Sequence, residues 1–212
     1  MTNERPATTL PAAFFDEIYG EAPDPWSFAT SEYEAAKYAQ TLAALPRGRY
    51  QSALEIGCSI GVLTEQLAER CGRLLSLDIA ERALQQARER CAQLPQVQCE
   101  LRQIPDDFPA ADFDLILVSE VGYYWSAPDL IRSRDLILEH LRPHGHLLLV
   151  HWTVEVPEYP LTGDDVHAAF FARVGDGLRH LSGRREDTYR LDLFERSARD
   201  GQGAGGSPAS RP

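Results

Sequence analysis

The sequence predicts one α/β domain on a doubly wound sheet of seven strands, mostly parallel, with helices on both faces and a C-terminal antiparallel hairpin. Three observations point there. Short apolar runs alternate with helical spacings from Ala53 to His151, the rhythm of right-handed crossovers between parallel strands. Those runs are continuous rather than alternating in polarity, as strands covered on both faces are. After His151 the rhythm gives way to two runs, Arg179–Arg185 and Thr188–Arg196, flanking Glu186-Asp187, which reads as a closing hairpin.

The elements follow in order. Met1–Thr9 is polar, and residues 1–11 are expected to be a flexible N-terminus. Ala12–Ile18 has the pattern of a short amphipathic helix, and Tyr19–Trp26 reads as a Pro-rich loop. Ser31 and Glu34 have capping-box spacing, so a helix starts there and runs to about Leu45, stopped by Pro46 and Gly48. Ala53–Gly57 is the first strand. Val62–Arg70 is a helix with Leu63 and Leu67 on one face. Leu74–Asp78 is a strand, Glu81–Cys91 a charged helix, and Val97–Leu101 a third strand. Phe113–Ser119 is the fourth and most apolar strand, and Pro128–Leu141 is a helix with proline in its first turn. Gly145–His151 is the fifth strand. Trp152–Leu161 is a loop, and Thr162–Asp165 forms another capping box opening a helix to about Arg173. In the last strand Tyr189, Leu191 and Leu193 share one face. Gly, Ser, Ala and Pro dominate from Ser197, so 197–212 is expected to be a disordered tail.

Composition removes several function classes. The chain has 212 residues with 21 Lys+Arg against 32 Asp+Glu, a net charge of −11, which repels a phosphate backbone and argues against nucleic-acid binding. No apolar run approaches the roughly 20 residues of a membrane span. Cys58, Cys71, Cys91 and Cys99 form no CxxC pair, so neither a structural zinc nor a disulfide scaffold is expected. No signal peptide is visible, and the thiols read as reduced, in a cytoplasm. His140, His144 and His146 gather at a turn on the end of the sheet away from the ligand edge, and no metal site is expected. The expected partner is a small molecule, with the protein a monomer or homodimer.

The informative segment is Glu55-Ile56-Gly57-Cys58-Ser59-Ile60-Gly61 at a strand-to-helix turn. Gly57 permits the sharp turn, and Gly61 lets the helix pack close. Asp78 closes the next strand, where an acid accepts hydrogen bonds from both ribose hydroxyls of an adenosine. Together they describe a nucleoside site at the strand carboxyl ends. Position 59 is Ser, so the G-x-G-x-x-G dinucleotide pattern fails, and no G-x-x-x-x-G-K-[ST] is present. An acidic pocket with free backbone N–H groups suits a nucleoside ligand without a phosphate better than a phosphate cradle would. A turn plus a cap with no ligand is the structural alternative.

E-x-G-x-x-x-G followed by an acid resembles motifs I and II of class I S-adenosylmethionine-dependent methyltransferases, whose fold is a Rossmann-like sheet. Phe113-Asp114, Pro143-x-Gly145 and the closing hairpin fit the same resemblance. Pro25-Trp26, Ser31-x-Tyr33-Glu34-x-x-Lys37-Tyr38, Leu54–Gly61 and Ser119-Glu120-Val121-x-Tyr123-Tyr124 resemble the NodS-type branch. That branch N-methylates a de-N-acetylated chitooligosaccharide. His151-Trp152, Tyr159–Asp164 and Tyr189–Asp192 resemble bacterial relatives associated with sugar de-N-acetylases. The resemblance implies a methyltransferase domain over 12–196 with a helical lid over 12–46, binding S-adenosylmethionine, releasing S-adenosylhomocysteine, and methylating an amine such as a de-N-acetylated amino sugar. An O-methyltransferase, a non-catalytic adenosine-ligand scaffold and a nicotinamide oxidoreductase are the alternatives. The missing middle glycine and the hairpin disfavour the last.

Methyl transfer is an in-line displacement that needs alignment and exclusion of water, and an amine must attack in its neutral form. Glu120, at the end of the fourth strand, is the first candidate to hold the amine or take its proton. His151, at the end of the fifth, is the second, as a group titrating near neutral pH, with a satisfied histidine at a strand end as the equal alternative, and Tyr124 is a candidate to orient the acceptor. His167 meets His151 only if the Tyr159–Thr162 loop folds back over the site, and is expected instead on an ordinary helix face; Lys37 could reach a methionyl carboxylate but is expected in solvent. The expected cofactor contacts are Trp26 as a lid, Glu55, Gly57, Cys58 through its backbone N–H, Ser59, Gly61, Asp78, Ile79 and Val121. Arg102 occupies the position where many relatives of this class carry an adenine-binding acid, so the adenine is expected to fall to Gln103, to the backbone at Gln103-Ile104, or to Asp106.

Overall fold

The computed structural model describes residues 5–198. Its sheet has seven strands in the order β3-β2-β1-β4-β5-β7-β6. These are β1 Ala53–Ile56, β2 Leu74–Asp78, β3 Val97–Leu101, β4 Phe113–Ser119, β5 Leu141–Trp152, β6 Leu178–Arg185 and β7 Tyr189–Arg196. The first five pair in parallel, whereas β7 runs antiparallel to β5 and β6. Order reverses between β1 and β4, so the crevice at their carboxyl ends is the topological switch point where open α/β sheets bind ligands.

Successive residues of a strand point to opposite faces, and the two main cores divide accordingly. Leu54, Ile56, Ile116, Val118, Leu147 and Leu149 pack with helices α5 (Ala127–His140) and α6 (Gly163–Phe171). Ala53, Leu115, Leu117, Leu148, Val150 and Leu191 pack on the other face with α2 (Glu32–Ala43) and α3 (Val62–Ala68). Two-faced burial is why β4 reads as an unbroken apolar run. Helix α4 (Glu81–Arg90) covers β2 and β3.

Caps explain where the helices begin. The Ser31 hydroxyl accepts from the Glu34 N–H, and Thr162 and Asp165 form a complete capping box. Helix α1 (Ala12–Glu21) follows Pro11 and has no side-chain cap. It owes its place to Phe15 and Tyr19, which pack on Ile60, Ala80 and Ala83. That packing extends it three residues past the expected end, into the segment read as a loop. Strand β5 starts four residues earlier than expected, across a register shift opposite Phe113–Leu115.

Residues 5–11, expected to be loose, are tied down. The Arg5 guanidinium donates to the carbonyls of Val156 and Tyr159, the Thr9 hydroxyl to Asp129, and the Leu10 N–H to the Tyr124 carbonyl. Of the expected tail, 199–212 lies outside the described residues. The Ser197 N–H donates to the Gly177 carbonyl. No helix among the described residues is long and apolar enough to cross a membrane.

Candidate active site

At the end of β1 the chain turns at Gly57 and enters α3 at Gly61, with φ of 93° and 81°. Both values favour glycine, and neither site has room for a side chain. A Cβ at 57 would lie 2.2 Å from Val121 Cγ1, and one at 61 would lie 2.8 Å from the α4 backbone at Ala87. The turn is held from beneath. The N–H groups of Gly57 and Cys58 both donate to the Leu77 carbonyl, and the Ser59 N–H donates to Asp78 Oδ2 at 2.8 Å. The N–H groups expected to be free for a ligand are therefore already used at 57, 58 and 59. Asp78 Oδ1 accepts from the Ala80 N–H at 2.9 Å. Each of its carboxylate oxygens thus receives one backbone hydrogen bond and keeps acceptor capacity toward the cavity. Burial pushes the Asp78 carboxyl up, against the opposing pull of these backbone hydrogen bonds.

A cavity of about 500 Å³ opens over this edge, within the range of small-molecule sites. Helix α1 supplies part of its wall. The Tyr19 hydroxyl shares a hydrogen bond with Ser59 Oγ, and Trp26 meets Tyr19 edge-on at 5.5 Å and stacks on Phe28. Val121, Tyr124 and Ile79 also line it.

The rest of the cavity is acidic and aromatic. Glu120 follows β4 with φ of 56°, a left-handed conformation costing a non-glycine residue about 1–2 kcal/mol. Its side chain is fixed at both oxygens. Oε1 lies 2.7 Å from Lys37 Nζ, and Oε2 accepts from the Tyr123 hydroxyl at 2.7 Å and the Trp152 N–H at 2.8 Å. Lys37 also lies 3.0 Å from Glu34. It was expected in solvent, but its side chain is only 2% exposed, because the inward face of α2 carries Glu34 and Lys37 toward the end of β4. Burial opposes the Lys37 charge, yet Glu120 and Glu34 outweigh it and hold the ammonium above its ordinary range. Burial pushes the Glu34 carboxyl up, with Lys37 pulling the other way. Two carboxylates around one ammonium leave a negative balance at the cavity wall. Tyr123 stacks on Tyr159 at 5.4 Å, Tyr124 meets Tyr159 edge-on at 4.8 Å, and Tyr33 meets Trp152 at 6.0 Å.

His151 differs from expectation. It is fully buried and is not part of the cavity wall. Its Nε2 accepts from the Gly122 N–H at 3.2 Å, and its Nδ1 faces His167 Nε2 at 3.1 Å. Burial, reinforced by His167 and Lys37, pushes its pKa well below the ordinary imidazole range, so it stays neutral where a titrating base was expected. His167, expected on an ordinary helix face, is equally buried.

Of the residues picked out in the sequence, Trp26, Gly57, Cys58, Ser59, Asp78, Ile79, Glu120, Val121 and Tyr124 meet in this one cavity. Glu55, Gly61, Gln103, Ile104 and His151 are not on its wall. Glu55 lies beneath the turn, where its Oε2 accepts from Thr64 and Ser76 at 2.7 Å each, and burial pushes its carboxyl up to about 7. Ile104 belongs to the core, whereas Arg102, beside them, lines the cavity. The Cys58 thiol is pushed well up by burial and by Asp78, which leaves it no thiolate to attack with. Glu34, Tyr33 and Tyr159 were not singled out as catalytic or binding residues, and Lys37 was set aside as a solvated side chain. Glu34 and Lys37 are three apart on a helix, a spacing that also describes a solvated surface pair.

The sheet order and closing hairpin are those of class I methyltransferases. The N-methyltransferase NodS from Bradyrhizobium japonicum WM9, crystallised with S-adenosylhomocysteine, superposes with a TM-score of 0.78 at 24% identity, over 88% of this chain and 99% of that one. A Pseudomonas syringae structure provisionally assigned as a methyltransferase superposes with a TM-score of 0.69 at 40% identity, over 78% of this chain and all of that one. Nodulation protein S of Sinorhizobium fredii is 33% identical over 129 residues, 60% of each chain, so the match spans less than two thirds of that relative. The family described as nodulation protein S (NodS) matches residues 17–152, well over half of the chain. The protein belongs to the NodS family.

Proposed function

We propose that the protein transfers a methyl group from S-adenosylmethionine to the nitrogen of a small amine, with a de-N-acetylated amino sugar as the acceptor class. One observation carries this reading: an acid placed for a ribose, Asp78, and a buried carboxylate–lysine–carboxylate cluster, Glu34–Lys37–Glu120, share one cavity. The likeness to the N-methyltransferase NodS from Bradyrhizobium japonicum WM9, crystallised with S-adenosylhomocysteine, supports it.

The cavity suits the cofactor's chemistry. Asp78 offers two oxygens to a vicinal diol, and no phosphate cradle is needed. Trp26 and Tyr19 cover the edge and exclude water. When bound, the cofactor supplies an electrophilic methyl on a sulfonium, and aromatic faces and acidic side chains favour that charge.

The chain's own residues handle the acceptor. Glu120, held by Lys37, Tyr123 and Trp152, offers a fixed carboxylate to an N–H of the amine. Glu34, with its carboxyl pushed up by burial, receives the proton the ammonium gives up, leaving the nitrogen lone pair free for in-line attack. Tyr159 and Trp152 offer faces on which a sugar ring stacks.

The test is methyl transfer followed by mass spectrometry, with a de-N-acetylated amino sugar and its N-acetylated counterpart as paired acceptors. The reading requires a mass gain of one methyl on the free amine and none on the amide. Equal methylation of both, on oxygen, overturns it.

A further inference from the structure

His151, His167 and Asp192 are buried, and the chemistry above uses none of them directly. They form one continuous chain. The Gly122 N–H donates to His151 Nε2 at 3.2 Å, so that nitrogen carries no proton. The proton of the neutral ring therefore sits on Nδ1 and is donated to His167 Nε2 at 3.1 Å. The same argument places the His167 proton on Nδ1, donated to Asp192 Oδ2 at 2.7 Å. Asp192 is itself anchored, by Arg190 Nε at 2.6 Å and His180 Nε2 at 2.8 Å. Each link fixes the tautomer of the next, from the last strand to the loop after β4.

The surroundings leave room for this chain. A Cβ on Gly122 would lie 2.5 Å from Val166 Cγ1 and 3.0 Å from His151 Nε2. A Cβ on Gly183 would lie 2.4 Å from Asp192 Oδ1. Small residues stand where any side chain would push the partners apart.

We infer that Asp192, His167 and His151 are positioning residues, a rigid hydrogen-bonded strut that grips the Gly122 N–H and so sets the loop carrying Glu120, Tyr123 and Tyr124. The strut does not carry protons to the acceptor. Its inner end accepts from a backbone amide N–H, which does not ionise and so relays no proton. For what the loop then does, this inference rests on the methyl-transfer reading.

Two measurements test it. Ring-nitrogen NMR of the full-length protein with ¹⁵N-labelled histidine, with and without S-adenosylhomocysteine, should show His151 and His167 neutral and protonated on Nδ1. An imidazolium, or a proton on Nε2 of His151, overturns the strut. Turnover of His151→Leu and His151→Gln tests the positioning. The Gln oxygen takes the place of Nε2 and still accepts from Gly122, whereas Leu offers no acceptor. A loop displaced by an ångström costs about 10²-fold in rate, so His151→Leu should lose kcat on that scale while its KM for S-adenosylmethionine holds, and His151→Gln should recover most of the loss. A Gln variant as slow as the Leu variant overturns the inference and returns His151 to proton transfer. Failure of the wild-type protein to bind S-adenosylhomocysteine refutes the methyltransferase reading instead, and the ring-nitrogen spectrum then decides the strut by itself.

Discussion

Replacing Asp78 with alanine separates what this side chain does for the fold from what it does for the ligand. In the protein it accepts from Ser59 N–H at 2.8 Å and from Ala80 N–H at 2.9 Å. Losing two backbone hydrogen bonds to a charged carboxylate, at about 1.5–3 kcal/mol each, should lower unfolding stability by about 3–6 kcal/mol, read in urea denaturation. The remaining acceptor capacity is assigned to the ribose. A hydrogen bond to a charged group contributes about 1.5–3 kcal/mol, so S-adenosylhomocysteine should bind about 10- to 150-fold more weakly in a calorimetric titration. Asp78→Asn keeps one acceptor oxygen and should fall between. If Asp78→Ala destabilises as expected but binds the ligand like wild type, Asp78 is a turn cap and the ribose assignment is refuted.

Three further outcomes follow from the same geometry. Lys37→Met leaves Glu34 and Glu120 facing each other without the buried ammonium between them, and should cost about 3–5 kcal/mol in urea denaturation; a loss below about 1 kcal/mol would describe a screened surface pair instead. Glu120→Gln keeps an oxygen for Tyr123 and Trp152 but loses the charge offered to the amine. It should lower turnover about 10²-fold with S-adenosylhomocysteine affinity nearly unchanged, and equal loss of binding would make Glu120 a cofactor residue. Burial raises the Glu55 carboxyl from 4.5 to about 7, so between those values the folded protein holds a proton that the unfolded chain has released. That contribution to stability is lost as pH rises through the window, and Glu55→Gln should gain on wild type by about 3 kcal/mol from its acidic to its neutral end; a pH-independent difference would show that Glu55 is not buried as described.

The order of strands and helices was legible because burial on both faces leaves a plain signal. Phe113–Ser119 and Leu147–Val150 are apolar at every or nearly every position, and each is a central strand. The turn over the switch point was legible for a different reason, since the positive φ and close packing at Gly57 call for glycine at a fixed place in a βαβ unit, with Asp78 closing the neighbouring strand. The acceptor side was less so. Glu34 and Lys37 are charged residues three apart on a helix, and nothing local tells a buried pair from a wet one. Their burial depends on how α2 lies against the end of β4. His151, His167 and Asp192 come from a strand, a helix and another strand, and only the folded arrangement joins them. Arg5 and Thr9 looked like part of a loose terminus, yet their partners lie more than a hundred residues away.

The central claim is that the cavity over Gly57 and Asp78 takes an S-adenosyl ligand, and calorimetric titration of the wild-type protein with S-adenosylhomocysteine and, in parallel, with NAD tests it most directly. Saturable S-adenosylhomocysteine binding on the order of micromolar, about −8 kcal/mol, is expected, with no heat from NAD. Absence of S-adenosylhomocysteine binding up to millimolar concentrations, or tighter binding of NAD, would contradict it.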